Sequence, residues 1–168
     1  TGSYRSKSHS HELQLLSPDD LWDGKLNFVT GLYYFAEDFE LGERLDLTGQ
    51  FCNFLLPPGQ RPPCNNLLAS GAGFNATNQL VSQEMDSFAV FGQATFRPID
   101  KVSLTLGGRW TKDSKTGRFV QLLNNPFAAS LRAPENTPLE FEDDQFTWRA
   151  AATYEPSDDV MLFATYST

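Results

Sequence analysis

The chain has 168 residues, with 13 Lys and Arg against 21 Asp and Glu, for a formal net charge of −8. That balance argues against nucleic acid or an anionic membrane surface as a partner, since both select clustered Lys and Arg, and no apolar run approaches the ~20 residues of a membrane-crossing helix. An aromatic content of 13%, with 14 Phe, leaves a membrane protein built from strands open.

The first residues, TGSYRSKSHSHELQL, lack the apolar centre of an export signal, so the chain reads either as not exported or as an internal piece. A first strand is predicted from His9 to Leu16, then a turn at Ser17-Pro18-Asp19-Asp20 and a second strand from Lys25 to about Glu37. Glu40 to Gln83 reads as a long loop rich in Pro, Gly and Asn, of a length usually reserved for function. It contains FCNFLLPPGQRPPC, in which Cys52 and Cys64 are too far apart for a CxxC redox motif and lack the His or Cys partners of a zinc site. They read as a disulfide stapling the loop, with two free thiols as the alternative. A staple implies an oxidising compartment.

Two further strands, Met85 to Arg97 and Lys101 to Lys112, flank a short turn. Ser114 to about Glu140, carrying NNPF and RAPENTP, reads as a second long loop, followed by strands from Gln145 to Glu155 and from Val160 onward. No helix signal exceeds a turn or two. SFAVFGQATFRPIDKVSL aligns without gaps on QFTWRAAATYEPSDDVML at an offset of 58 residues, so the unit is a repeated hairpin with Pro98 and Pro156 at its first central turn position. The expectation is an all-β chain of about six antiparallel strands, with short turns at one end and long loops at the other.

Along these strands one side-chain set is apolar and the other hydrated. Phe88, Val90, Gly92, Ala94 and Phe96 share a face, as do Phe146, Trp148, Ala150, Ala152 and Tyr154, and Trp110 and Tyr166 close the return strands. Aromatic rings at both ends of a strand with small aliphatics between them match the girdles of a bilayer-spanning barrel, here Phe88, Phe96, Trp110, Trp148, Tyr154 and Tyr166. The rise from Phe88 to Phe96, at about 3.3 Å per residue and tilted by roughly 40°, covers about 20 Å, close to the ~25 Å apolar band of such barrels. The opposite face carries Gln93, Arg97, Arg109 and Arg149, which would look into an aqueous lumen. Alternation alone also suits a soluble sandwich with the apolar set as its core.

HELQLLSP, LNFVTGLYYFAEDF, SFAVFGQATFRPIDKVSLTLGGRWTKDSKTG and FTWRAAATYEPSDDVMLFATYST resemble consecutive barrel hairpins of TonB-dependent outer-membrane receptors. GLYYF at Gly31–Phe35, GGRWTKD at Gly107–Asp113 and FATYST at Phe163–Thr168 carry most of that resemblance, which covers the chain apart from its long loops. It implies residues 1–168 as part of an about 22-stranded barrel in a Gram-negative outer membrane, a plug domain outside this chain, outer-membrane lipid around it, and TonB-energised uptake of a scarce nutrient such as a ferric chelate of siderophore or haem type. Six strands are too few to close a barrel, so the chain looks like a middle portion of a receptor.

Candidate sites are sparse. His9 and His11 share a strand face and could ligate a metal, the alternative being two polar residues on a hydrated face. Glu135, Glu140, Glu142, Asp143 and Asp144, and likewise Glu37, Asp38 and Glu40, flank the loops as cation ligands or, more simply, as solvated charge. The lumen-facing arginines could meet an anionic ligand, a plug carboxylate or acids of the same wall. There is no GxSxG, HExxH or phosphate-binding glycine loop, and Gly107-Gly108 reads as a bend or close packing, so neither an enzyme nor a cofactor is expected. Transport leads, with a soluble carbohydrate-binding sandwich and a passive porin-like channel as the alternatives.

Overall fold

The computed structural model describes residues 2–71, 73–131 and 133–168. One antiparallel sheet carries six strands, β1 (Gly2–Leu16), β2 (Leu26–Asp46), β3 (Asn75–Ile99), β4 (Val102–Leu123), β5 (Glu135–Ser157) and β6 (Val160–Ser167), each beside its neighbour in sequence. Strands β2 to β5 have 21 to 25 residues, several times the length usual in globular sheets.

The sequence pattern made β1 to β5 too short at their loop-side ends. β2 continues to Asp46 rather than Glu37, β3 begins at Asn75 rather than Met85, β4 runs to Leu123 and β5 starts at Glu135. The added stretches, such as GERLD and SKTGRFVQLL, have no one-sided apolar alternation to betray them. What keeps them extended is main-chain pairing with the neighbouring strand, which needs no particular side chain. The long loops therefore shrink to residues 47–74 and 124–134, and Arg132 of the second lies outside the described residues.

The chain divides into two compact units. The first comprises the stretch through Lys7, Glu37–Glu84 and Lys115–Glu140. Its loop holds two helices, α1 (Phe51–Leu55) and α2 (Arg61–Ala69), separated by a 3-10 turn at Pro58–Gln60. Composition predicted irregular chain here, yet prolines open the 3-10 turn and α2. α2 has Pro in its first turn, where a missing N–H has no intrahelical acceptor to lose. The apolar side chains of these helices, Phe51, Cys52, Leu56, Cys64 and Leu68, gather with Leu47, Ala76 and Ala128 into a small buried cluster, against which Leu123 and Phe127 pack. Cys52 and Cys64 are bonded to each other within it, with Cα atoms 5.7 Å apart.

Asn125, fully buried, ties the second loop to the first. Its Nδ2 donates to the Gly73 carbonyl at 2.8 Å, its Oδ1 accepts from the Phe127 N–H at 2.9 Å, and its own N–H donates to the Ala76 carbonyl at 3.1 Å. All three bonds pair with main-chain groups, which burial makes costly to leave unsatisfied.

The second unit comprises Ser8–Ala36, Met85–Ser114 and Phe141–Thr168 and contains the short turns. Asp100-Lys101 and Asp158-Asp159 are two-residue connections. Pro98 and Pro156 lie inside β3 and β5 rather than in the turns. At Pro156 the β5–β6 register shifts between Tyr154 and Ser157, and a strand proline is tolerated at such an irregularity because no ladder bond is required of it. The predicted Ser17–Asp20 turn is a longer excursion through residue 25. Trp22, Asp23 and Gly24 take φ of 56°, 60° and 78° in succession, a conformation that costs a non-glycine residue about 1 kcal/mol. The Trp22 ring meets Phe96 edge-on at 6.5 Å.

Opening the disulfide with paired Cys52→Ser and Cys64→Ser substitutions should remove about 3 kcal/mol of loop stability. Limited proteolysis should then cut within residues 51–69 at a protease concentration that leaves the oxidised loop intact.

Candidate functional site

The two faces of the second unit's sheet differ in chemistry and in exposure. On the apolar face, aromatic rings meet their neighbours across adjacent strands: Phe88 and Trp110 at 6.5 Å and Trp148 and Tyr166 at 5.4 Å. Registration of Ala150 with Tyr166, Ala152 with Ala164 and Tyr154 with Leu162 puts these side chains on one side of the β5–β6 pair. Phe88, Phe96, Trp110, Tyr154 and Tyr166 are 36–67% exposed, and Leu104, Leu106 and Phe146 are exposed beside them. A sandwich would bury this set beneath a second sheet. The buried apolar cluster found among the described residues lies instead in the first unit.

At the loop-side edge of this face the polar ends of the aromatic rings find carboxylates one strand away. The Tyr34 hydroxyl donates to Asp86 Oδ1 at 2.5 Å and the Trp110 indole N–H to Asp144 Oδ2 at 3.3 Å. Just beyond, Lys112 Nζ stands 2.5 Å from Glu142 Oε1, and that hydrogen bond, with the carboxylate's charge, raises the lysine pKa above its ordinary value. Glu142 and Asp144, expected as loop charge, are therefore strand residues with fixed partners. His9 packs 6.0 Å from the Tyr34 ring and 5.6 Å from His11. This puts the pair on the aromatic side rather than on a hydrated face, and no cluster of metal-binding side chains occurs among the described residues.

The polar face gathers three of the four expected residues. Gln93, Arg109 and Arg149 line one open cleft of about 410 Å³ together with Thr147 and Ser167. Arg109 lies over the Tyr33 ring, 5.4 Å from its centroid, and its Nε donates to Thr111 Oγ1 at 3.0 Å, so a cation–π contact and a hydrogen bond orient it. Arg149 forms no ion pair with any described residue. Arg97 is not in this group: its Nη1 donates to Asn27 Oδ1 at 2.6 Å near the short turns. Elsewhere on the face Thr95 and Thr105 hydroxyls share a 3.0 Å bond and Ser87 donates to Asp113 at 2.5 Å.

Neither Tyr33 nor Phe91 was among the candidate site residues, although alternation puts Phe91 on the face of Gln93. Alternation within GLYYF would have found Tyr33, because it must face away from Tyr34 and so toward the arginines. Phe91 lies over Gly31, where a Cβ would come within 2.6 Å of the Phe91 ring and 2.5 Å of the Leu13 carbonyl. The glycine lets the aromatic ring approach the neighbouring strand closely.

The profile of the family described as TonB dependent receptor-like, beta-barrel, matches residues 1–168. The chain belongs to that family. TonB-dependent receptors are outer-membrane barrels of Gram-negative bacteria, receptors and transporters rather than enzymes. Among solved structures, the ferric yersiniabactin uptake receptor FyuA from Yersinia pestis matches 98% of this chain and 21% of its own, at 16% identity and a TM-score of 0.72. The ferric-catecholate import receptor Fiu from E. coli K12 matches 99% and 25%, at 15% identity and a TM-score of 0.60. The chain thus spans a fifth to a quarter of the length of these TonB-dependent receptors, and likenesses this distant establish the fold alone. No curated protein matches.

Gly31→Ala should destabilise the receptor by about 1 to 3 kcal/mol, because the clash with the Leu13 carbonyl is with main chain and can be relieved only by moving β1 or β2. Denaturant titration of the folded receptor, read by heat-modifiable electrophoretic mobility, measures it.

Proposed function

We propose that residues 1–168 are part of the barrel domain of an outer-membrane receptor that imports a scarce nutrient, a ferric chelate of siderophore or haem type, with energy delivered by TonB. The single observation carrying this reading is a wall one sheet thick, with an exposed aromatic-bracketed apolar face on one side and an arginine-bearing polar face on the other. The apolar face meets lipid, with Phe88, Phe96, Trp110, Trp148, Tyr154 and Tyr166 as its girdle residues. Gln93, Arg97, Arg109 and Arg149 face the lumen. There Arg109 and Arg149 offer donors to a ligand's anionic groups or to carboxylates of the plug, because neither forms an ion pair with an acid among the described residues. The choice of ferric chelate follows the substrates in the names of FyuA and Fiu.

In this reading the protein's part is recognition and passage. Charge-assisted hydrogen bonds from guanidinium groups select planar, anionic groups, and the aromatic rings Tyr33 and Phe91 beside them offer flat apolar contact.

Depth tests the assignment of faces. Ala94→Arg or Ala152→Arg, at the middle of the apolar band, should each cost the receptor about 2 to 4 kcal/mol, whereas Gln93→Arg or Ala151→Arg on the other face should cost much less. Equal losses would mean that the faces are reversed or that neither meets lipid.

Transport is tested with the receptor that contains this chain. Intrinsic fluorescence of the purified receptor should be quenched saturably by a ferric chelate and not by the iron-free form. Cells lacking the receptor should lose uptake of that radio-iron chelate. Quenching by no member of a panel of phenolate, catecholate, hydroxamate and haem ligands would remove the ferric-chelate assignment.

A further inference from the structure

The sulfur atoms of the loop disulfide are out of reach. Cys52 and Cys64 are both 0% exposed, although the same loop shows Phe54 and Leu55 to solvent at 81% and 57%. Two walls enclose the pair. Phe51, Leu56 and Leu68 of the loop itself supply one, and the other consists of Ala76 of β3 and Ala128 of the second loop, with Leu123 and Phe127 packed against them.

The two walls differ in how far along the chain they reach. The first is local: Asn65 Nδ2 donates to Asn53 Oδ1 at 3.2 Å and Arg61 Nε donates to the Leu56 carbonyl at 2.9 Å, which ties α1 to α2. The second comes from much later in the sequence. It is held by the N–H groups of Asn124 and Asn125, which donate to the Ala76 carbonyl at 2.9 and 3.1 Å, and by Asn125 Nδ2 on the Gly73 carbonyl. At Gly73 an added Cβ would lie 2.9 Å from the Leu67 side chain and 3.1 Å from Asn125 Nδ2, so the second loop closes tightly on the first.

A disulfide forms and breaks only when a thiolate can approach one of the sulfur atoms. The closed cluster leaves no room for that approach. The cysteines are 12 residues apart, and closing so short a loop costs less chain entropy than recruiting the second loop.

We propose that Cys52 and Cys64 are joined before the second loop docks, by exchange with the exposed disulfide of a dithiol oxidase, and that docking then seals the bond against reduction. One cysteine thiolate attacks the oxidase disulfide, expelling one oxidase thiolate and forming a mixed disulfide. The second cysteine attacks the receptor sulfur of that bond and releases the oxidase as a dithiol. The receptor gives up two electrons and two protons, and the oxidase takes up both. After docking, the loop keeps its helices in a medium that contains small thiols.

The test uses the full receptor that contains this chain, folded in detergent and treated with dithiothreitol. Peptides carrying Cys52 and Cys64 are quantified by mass spectrometry after acid quenching and alkylation. Reduction is expected to be about 100-fold slower in the folded receptor than in the same receptor unfolded in urea. Asn125→Ala and Phe127→Ala, which loosen the second loop and leave both cysteines in place, should each speed it roughly tenfold. Phe54→Ala, on the exposed side of α1, should leave the rate unchanged. In cells, receptor sampled seconds after synthesis should already carry the bond while its electrophoretic mobility is still that of the unfolded form. Equal rates in folded and unfolded receptor, folded loop variants no faster than the unaltered chain, or a bond that appears only in the folded form would each overturn the proposal. Should the variants not fold, the timing in cells decides it with the unaltered chain. None of these readouts involves transport, so their failure is distinguishable from failure of the ferric-chelate reading.

Discussion

Main-chain pairing between adjacent strands is the constraint on which the rest of the structure depends. In a wall one sheet thick, no second layer supplies a core, so each N–H and C=O must be satisfied by the next strand. In hydrocarbon an unsatisfied group costs several kcal/mol. Sequential neighbours in antiparallel order meet this demand with the shortest connections available, as at Asp100-Lys101 and Asp158-Asp159. Side chains are then released from holding the sheet together and can differ completely between the faces.

That release explains which features could be read directly from sequence. Where one face is apolar, as from Phe88 to Phe96, alternation is strict, and both the strand and its sidedness were legible. Farther along β3, in NATNQLVSQE, polar residues occupy both faces and the strand became invisible, although the ladder continues to Asn75. The proline markers misled for a related reason. Pro98 and Pro156 sit next to the turns, yet their backbone belongs to strands, and at Pro156 the pairing has become irregular. In the candidate site, charge marked Arg109 and Arg149, but the contact of Arg109 with Tyr33 spans β2 and β4 and depends on a strand register that no local pattern encodes.

The aromatic residues at the loop-side edge of the apolar face have a polar chemistry of their own. Tyr34 and Trp110 each direct a donor to an aspartate on a neighbouring strand, so their rings present apolar surface on one side and a satisfied polar tip on the other, the form that settles at an interface. The acids that accept these bonds accompany the net charge of −8. Negative charge thus has a local structural use here, apart from any role in solubility.

The loop of residues 47–74 has a separate source of order. Its helices, disulfide and buried cluster draw mostly on residues close together in sequence, with Ala76, Ala128 and Asn125 as attachments to the flanking strands. Such a module behaves as a cassette. Selection can rewrite its outer surface, where Phe54 is 81% exposed, without disturbing a single rung of the ladder below. The surface of this loop is therefore free to change while the strands that carry it stay the same.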